Sequence, residues 1–295
     1  MANLKEIRTR ITSMKSTRQI TSAMKMVAAA KLRKAQDKIV RLRPYAGKLH
    51  ELLVGISSQI EESDDEVSYG RVTSAERVLI IVVTSNRGLC GAFNANVIRE
   101  AVNVINKNYS EQKQSGNLSI MTIGRKGFDF FRKRDYQIFE DQSHLFDDLT
   151  FEAASEVAER VMDHFMKSKF DRIDFVYNQF RNAATQDLMH ERFLPVEKPE
   201  EDPLHSEAIS DYIFEPSKEE IISELIPKSL KVQFYKSVLD SYVAEHGARM
   251  TSMHQATDNA TDLISSLTLE YNKARQASIT NQILEVVSGA EALKG

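Results

Sequence analysis

Between the apolar run Val78–Val83 and the segment ANVIREAVNVI stands SNRGLCGAFN, residues Ser85 to Asn94. Strand, glycine loop, helix is the local order in which loop amides and a helix N-terminus face a phosphate, so the first chemistry to consider is nucleotide binding. The spacing argues against it. A dinucleotide loop carries G-x-G-x-x-G, and a P-loop places Lys and Ser or Thr after its last glycine; here Ala92 and Phe93 follow Gly88 and Gly91. The alternative is a tight turn joining a core strand to a helix, and no cofactor is expected. Cys90 is the only cysteine, which excludes an internal disulfide and a multi-cysteine metal site. With no histidine near it in sequence, it reads as a small buried thiol rather than a nucleophile. The seven histidines show no H-x-x-x-H spacing, so no metal site is expected.

The elements around this loop alternate. RVLIIVV, the helix after Asn94, LSIMTIG, KGFDFFRKR, YQIF, a helix near Phe151 to Lys167, and RIDFVYN follow a βαβ order, and DLMHERFLPV supplies a further strand. That order predicts a Rossmann-like α/β domain with a mostly parallel sheet, over residues 75–205. The polar stretch EESDDEVSYGRVTSA precedes it and the proline-bearing EKPEEDP closes it.

Both ends of the chain read as long helices. Ala28, Leu32, Ala35, Ile39, Leu42, Ala46, Leu49, Leu53, Ile56 and Ile60 recur at steps of four and three, a coiled-coil seam over residues 1–62. Leu4, Ile7, Ile11 and Met14 begin in the same phase. Arg18, Thr21 and Lys25 then occupy the seam while Ile20, Met24 and Val27 form a displaced stripe. The seam continues past Pro44, which predicts a kink rather than an end. In residues 210–295 a short helix should stop at Pro227 and a long one should run from about Lys228 to Leu293. Its seam is expected at Leu239, Tyr242, Met253, Ala256, Ala260, Leu263, Leu267, Ala274 and Ala277, with His246, Arg249 and Glu270 at polar seam positions. After Ala277 the stripe slips to Ile279, Ile283, Val286 and Ala290.

Helices of ~60 residues are ~90 Å long, more than a core of this size can enclose, so they are expected to pair antiparallel with each other. Taking Ile60 and Tyr212 as level, residue numbers across the seam should sum to ~272, give or take a turn or two.

The 295 residues carry a net charge of −3, which conceals polarity: residues 1–43 hold twelve Lys/Arg against Glu6 and Asp37, and Glu197–Glu224 holds ten acids against Lys198 and Lys218. Such blocks mark solvated faces or docking surfaces for oppositely charged partners. The longest apolar run is six residues, far short of the ~18 of a membrane span, and MANLKEIRTRI offers no secretory apolar segment. A basic coiled-coil nucleic-acid-binding protein is the alternative reading, but the basic residues interleave with the seam and the first aromatic is Tyr45.

The chain resembles the gamma subunits of F-type ATP synthases. The resemblance is carried by IRTRITSMKSTRQITSAMKMVAAAKLRKAQ, by SNRGLCGAFN and GRKGFDFF, and by ARMTSMHQATDNATDLISSLTLEYNKARQASITNQILEVVSGAEAL, and it covers the whole chain in order. It implies a non-catalytic central-stalk rotor. One copy would stand inside the ring of alternating alpha and beta subunits, coupling proton- or sodium-driven rotation of the c-ring to ATP synthesis or hydrolysis at the beta subunits. The epsilon subunit is a further implied partner, and nucleic acid is not. Carried over by position, the beta-subunit contacts fall on Met24, Arg249, Gln276 and Thr280, and the c-ring contact on Tyr212 and Glu215. The family's chloroplast members carry a regulatory cysteine pair, which the single Cys90 excludes here. The lack of a transit peptide implies a bacterial protein, peripheral on the cytoplasmic face of the inner membrane; a processed mitochondrial chain is the other possible source.

Overall fold

The computed structural model describes residues 4–57, 69, 74–196 and 218–293, with the backbone alone for 50–57 and 218–223. The chain divides into two compact units, one of Met1–Ala29 with Arg249–Gly295 and one of Ala30–Ala248. Two long helices, α1 (Leu4–Ser57) and α6 (Lys218–Ala292), contribute to both.

The Ala30–Ala248 unit is built on a five-stranded sheet. Its strands are β1 (Val78–Val83), β2 (Leu118–Ile123), β3 (Ile138–Asp141), β4 (Arg172–Phe180) and β5 (Gln186–Leu194), in the order β3-β2-β1-β4-β5. Every pair is parallel except β4 with β5. All six side chains of β1 are fully buried, which is why VLIIVV shows no alternation: a central parallel strand faces helices on both sides. On one face α2 (Phe93–Asn108) applies Val97, Ala101, Val104 and Ile105 to Val78, Ile80 and Val82, and α4 (Arg125–Arg132) adds Phe131. The short helix α3 (Ser110–Gln114) follows α2.

The opposite face takes two helices. One is α5 (Phe151–Met166), which starts where Thr150 Oγ1 accepts from the Ala153 amide and whose His164 ring meets Phe139 of β3 edge-on. The other is α6, whose Phe234 ring lies 5.2 Å from Phe175 of β4 and 6.0 Å from Phe193 of β5. From Leu230 to Gly247 no position of α6 is exposed and most are fully buried, the pattern of a helix enclosed in a core. Gly247 is there for closeness: a Cβ on it would stand 3.3 Å from the Ala183 backbone in the β4–β5 turn.

In the other unit the seam of α1 keeps its phase without interruption. Ile7, Thr21 and Ala28 are buried, and Leu4, Ile11, Met14, Arg18 and Lys25 are half-buried on the same line. The facing stretch of α6 corrects part of the expected seam. Met253, Ala260 and Leu267 are buried and Ala274 is half-buried, but Leu263 is 43% exposed while Ile264 takes the inward place, with Thr257 and Tyr271 on the same line. A repeat averaging 3.5 residues fixes every seventh position and leaves the intermediate one at +3 or +4; the partner surface chose +4 here. Glu270 and Ala277 are accordingly exposed.

Pro227 does not end a helix; α6 runs through it from Lys218. An interior proline costs ~3 kcal/mol, and the burial of Leu230, Val232 and Phe234 just beyond it offsets that cost. Pro44 lies inside α1. Of the other seam residues, Leu32, Ile39 and Leu49 are buried and Leu42 is half-buried, and the Leu53 side chain lies outside what is described. Thr21 and Thr257, hydrogen-bonded at 2.8 Å, sum to 278, and the ion pair Arg43–Asp240 sums to 283. The first lies within two turns of ~272 and the second about three turns above it; Tyr212 was the starting level, and the described helix begins six residues later, at Lys218.

Candidate functional site

The glycine loop is occupied by the protein's own backbone. The first-turn amides of a helix are unsatisfied donors and would be what a phosphate meets. At α4 they are spent: Arg125 N donates to Asn86 Oδ1 (3.0 Å), Lys126 N to Ser85 O (3.1 Å) and Gly127 N to Thr84 Oγ1 (2.8 Å). The loop after β1 is thus the cap of α4, and SNRGLCGAFN and GRKGFDFF are two sides of one joint. Gly124 is needed there: its φ is +112°, and a Cβ would lie 2.1 Å from Thr84 O.

The loop closes on itself as well. Ser85 N donates to Asn94 Oδ1 (2.9 Å), Asn94 Nδ2 donates to Ser85 Oγ (2.8 Å), and Ser85 Oγ donates to Arg87 O (2.6 Å). Cys90 is 1% exposed, with Asn94 Nδ2 3.2 Å from its sulfur. Leu89 and Gly91 take positive φ, 66° and 60°, to make the turn. This arrangement positions a helix on a strand. Among the described residues no group of His, Cys, Asp and Glu is placed to hold a metal ion, and no helix is long and apolar enough to cross a membrane.

Two buried aspartates stand out in the same unit. Asp174 of β4 is fully buried, and Tyr109 OH donates to its Oδ2, His190 Nε2 lies 2.9 Å from that oxygen, and Arg172 Nε donates to Oδ1 at 3.2 Å. Burial would raise its pKa, but the hydrogen bonds from His190 and Tyr109 and the Arg172 charge hold it below the usual carboxylate range. Burial, then the Asp174 charge, push the Tyr109 phenol upward. Asp240 of α6 is equally buried but receives one donor, Arg43 Nη2 at 3.2 Å on Oδ1, while Oδ2 has no hydrogen-bond partner. Here burial outweighs Arg43 and its pKa is raised. Sequence reading passed over both; a charged residue inside the apolar runs RIDFVYN and KSVLDSYVA was the available signal.

The helical unit carries the expected contact residues. Met24 is half-buried, Gln276 and Thr280 are exposed, and the Thr280 hydroxyl donates to Gln276 O at 3.0 Å, which puts both on one face. Arg249 is 8% exposed, so it is held within the chain more than it is displayed. Tyr212 and Glu215 lie outside the described residues. In the displaced stripe of α1, Ile20 is 60% and Val27 58% exposed beside the half-buried Met24, and neighbouring Met26 is 65% exposed. The end of α6 is exposed throughout: Ile283 57%, Leu284 57%, Val286 71% and Val287 53%.

A family model described as ATP synthase matches residues 3–293. The chain is similar to the ATP synthase gamma chains of Flavobacterium psychrophilum, 53% identical, and Christiangramia forsetii, 52% identical, with all of both chains covered in each case. Its fold is similar to that of a chain in a cryo-EM structure of the Euglena gracilis mitochondrial ATP synthase, OSCP/F1/c-ring, with a TM-score of 0.67, 22% identity, and coverage of 98% of this chain and 94% of that one. The chain belongs to the ATP synthase gamma-chain family.

Proposed function

We propose that this gamma chain is the rotor of the central stalk, coupling proton- or sodium-driven rotation of the membrane c-ring to ATP synthesis or hydrolysis at the beta subunits without catalysing either itself. It stands as one copy among alpha, beta and epsilon subunits, peripheral on the cytoplasmic face of a bacterial inner membrane. The observation that carries this reading is the end of α6. From Ile279 to Leu293 every position is exposed, and Glu285 and Glu291 are the only charges. At 100° per residue its Ile, Leu and Val side chains cover about half the circumference. A surface that must turn inside a sleeve cannot carry many directional contacts, because each deepens one orientation; apolar contact is non-directional. Gln276 and Thr280, one turn below, supply the few polar contacts through which a beta loop acts on the shaft, with Met24 on the displaced stripe of α1. Arg249, being buried, contributes through the helical pair that presents them. The joint between the Ser85 loop and α4 leaves the α/β unit as framework, and the c-ring contact is assigned to Tyr212 and Glu215 by the family resemblance alone.

The test is reconstitution. The pure chain should hydrolyse no ATP. With its partner subunits, Gln276→Ala and Thr280→Ala should each lower proton-driven synthesis several-fold, the scale of one neutral hydrogen bond of ~1 kcal/mol. ATP hydrolysis by the pure chain that disappears on mutating the Gly88 loop would overturn the reading.

A further inference from the structure

We propose that Asp240 and Arg43 form an orienting latch: the buried carboxylate lowers the stability of the α/β unit and, through Arg43, fixes where residues 36–46 of α1 sit on α6 and on the end of β4.

The geometry is that of a pair that does not stabilise. Asp240 is fully buried, yet one oxygen meets Arg43 through a single nitrogen at 3.2 Å and the other has no hydrogen-bond partner. The Arg43 side chain is 46% exposed, and the same Nη2 also donates to Phe180 O at 3.0 Å. A buried ion pair offsets its desolvation only with excellent geometry and with its remaining lone pairs satisfied. Neither condition holds. The charged groups that act on Asp240 are Arg43 from α1, Lys236 on its own helix and Glu191 from β5; Glu191 is itself bonded by Tyr177 of β4. The positive charges among them do not make up for burial, and the pKa is raised. The sign follows: a carboxyl whose folded pKa lies above its unfolded one contributes stability below the unfolded value and loses it as pH rises through the folded value.

What the pair supplies is direction. Leu32, Ala35, Ile39, Leu42 and Leu49 bind this part of α1 through apolar contacts that a seven-residue slide would largely restore, since Leu42 would be replaced by Leu49 and Leu32 by Ile39. Arg43 ties three elements at once and has no equivalent seven residues away, where Gln36 and His50 stand. Lys38 Nζ, which donates to Leu149 O at 3.2 Å, is a second directional tie in the stretch.

The experiment uses the full-length chain, Asp240→Asn, and the double variant Arg43→Met with Asp240→Leu. Urea unfolding between pH 4 and 8 and amide hydrogen exchange over residues 36–46 are measured. Asp240→Asn should match or exceed the native chain at pH 7, and its advantage should shrink on acidification. The double variant should be at least as stable at pH 7, yet exchange in residues 36–46 should rise about tenfold as local opening becomes easier. An Asp240→Asn chain less stable than native at pH 7 overturns the proposal. So does a double variant that fails to fold, or one whose exchange is unchanged.

Discussion

One helix, α6, passes through two environments. Around Leu230–Gly247 it is enclosed, with Phe234, Val238, Val243 and Ala244 at 0% exposure; after Ile279 it is exposed on every side, with Val286 at 71%. Apolar residues occur in both stretches, so composition does not separate them. The first has the β4–β5 face of a sheet against it, and the second presents its valines and isoleucines to solvent. The lesson is that anchoring and display can be written on one continuous element, with only the packed stretch setting stability. An exposed apolar surface of this extent marks an interaction site.

The sharpest way to break that contrast is a paired truncation. Phe234→Ala should cost about 3–5 kcal/mol in urea unfolding, the range for a large aromatic removed from a core. Val286→Ala should stay within about 0.5 kcal/mol and should show its effect in assembly with partner subunits instead. Equal costs would mean that the exposed stretch is packed in the free chain.

Asp174→Asn should come next, at roughly 3 kcal/mol at neutral pH, because it leaves Arg172 and His190 facing a neutral group in a buried site. Asp174 has a lowered folded pKa, so its contribution is present above the unfolded carboxylate value and is lost as pH falls through the folded one. The cost of Asp174→Asn should therefore shrink toward acid, measured as the pH profile of the unfolding midpoint. Asp240 is equally buried and carries the opposite sign, and the difference lies in the donors: three groups reach Asp174 and one reaches Asp240.

Gly124→Ala should cost about 1–3 kcal/mol, since the position combines a left-handed φ with a backbone oxygen where Cβ would stand. The smallest effect expected is Thr257→Val, about 1 kcal/mol for the hydroxyl contact with Thr21. Its measurable sign should be a looser helical pair, seen as faster amide exchange near Thr21 with the α/β unit unchanged.

Several of these features are legible in the sequence. A β-branched run as short as VLIIVV, bounded by turn residues, reads as a strand buried on both faces, because burial on one face would impose alternation. The α1 seam follows from the 3.5-residue repeat, including the polar interval at Arg18, Thr21 and Lys25, because a helix cannot change which residues share its face without breaking. Other features required the folded neighbours. Whether Leu263 or Ile264 turns inward depends on which side the partner helix approaches, and both residues are apolar. Pro227 carries its own penalty in the sequence, whereas the burial beyond it that offsets the penalty exists only when the sheet is in place. The same holds for the two aspartates. A carboxylate's pKa is set by the donors within a few ångströms, and those of Asp174 and Asp240 come from residues 65 and 197 positions away, as well as near ones, which only the tertiary structure brings together.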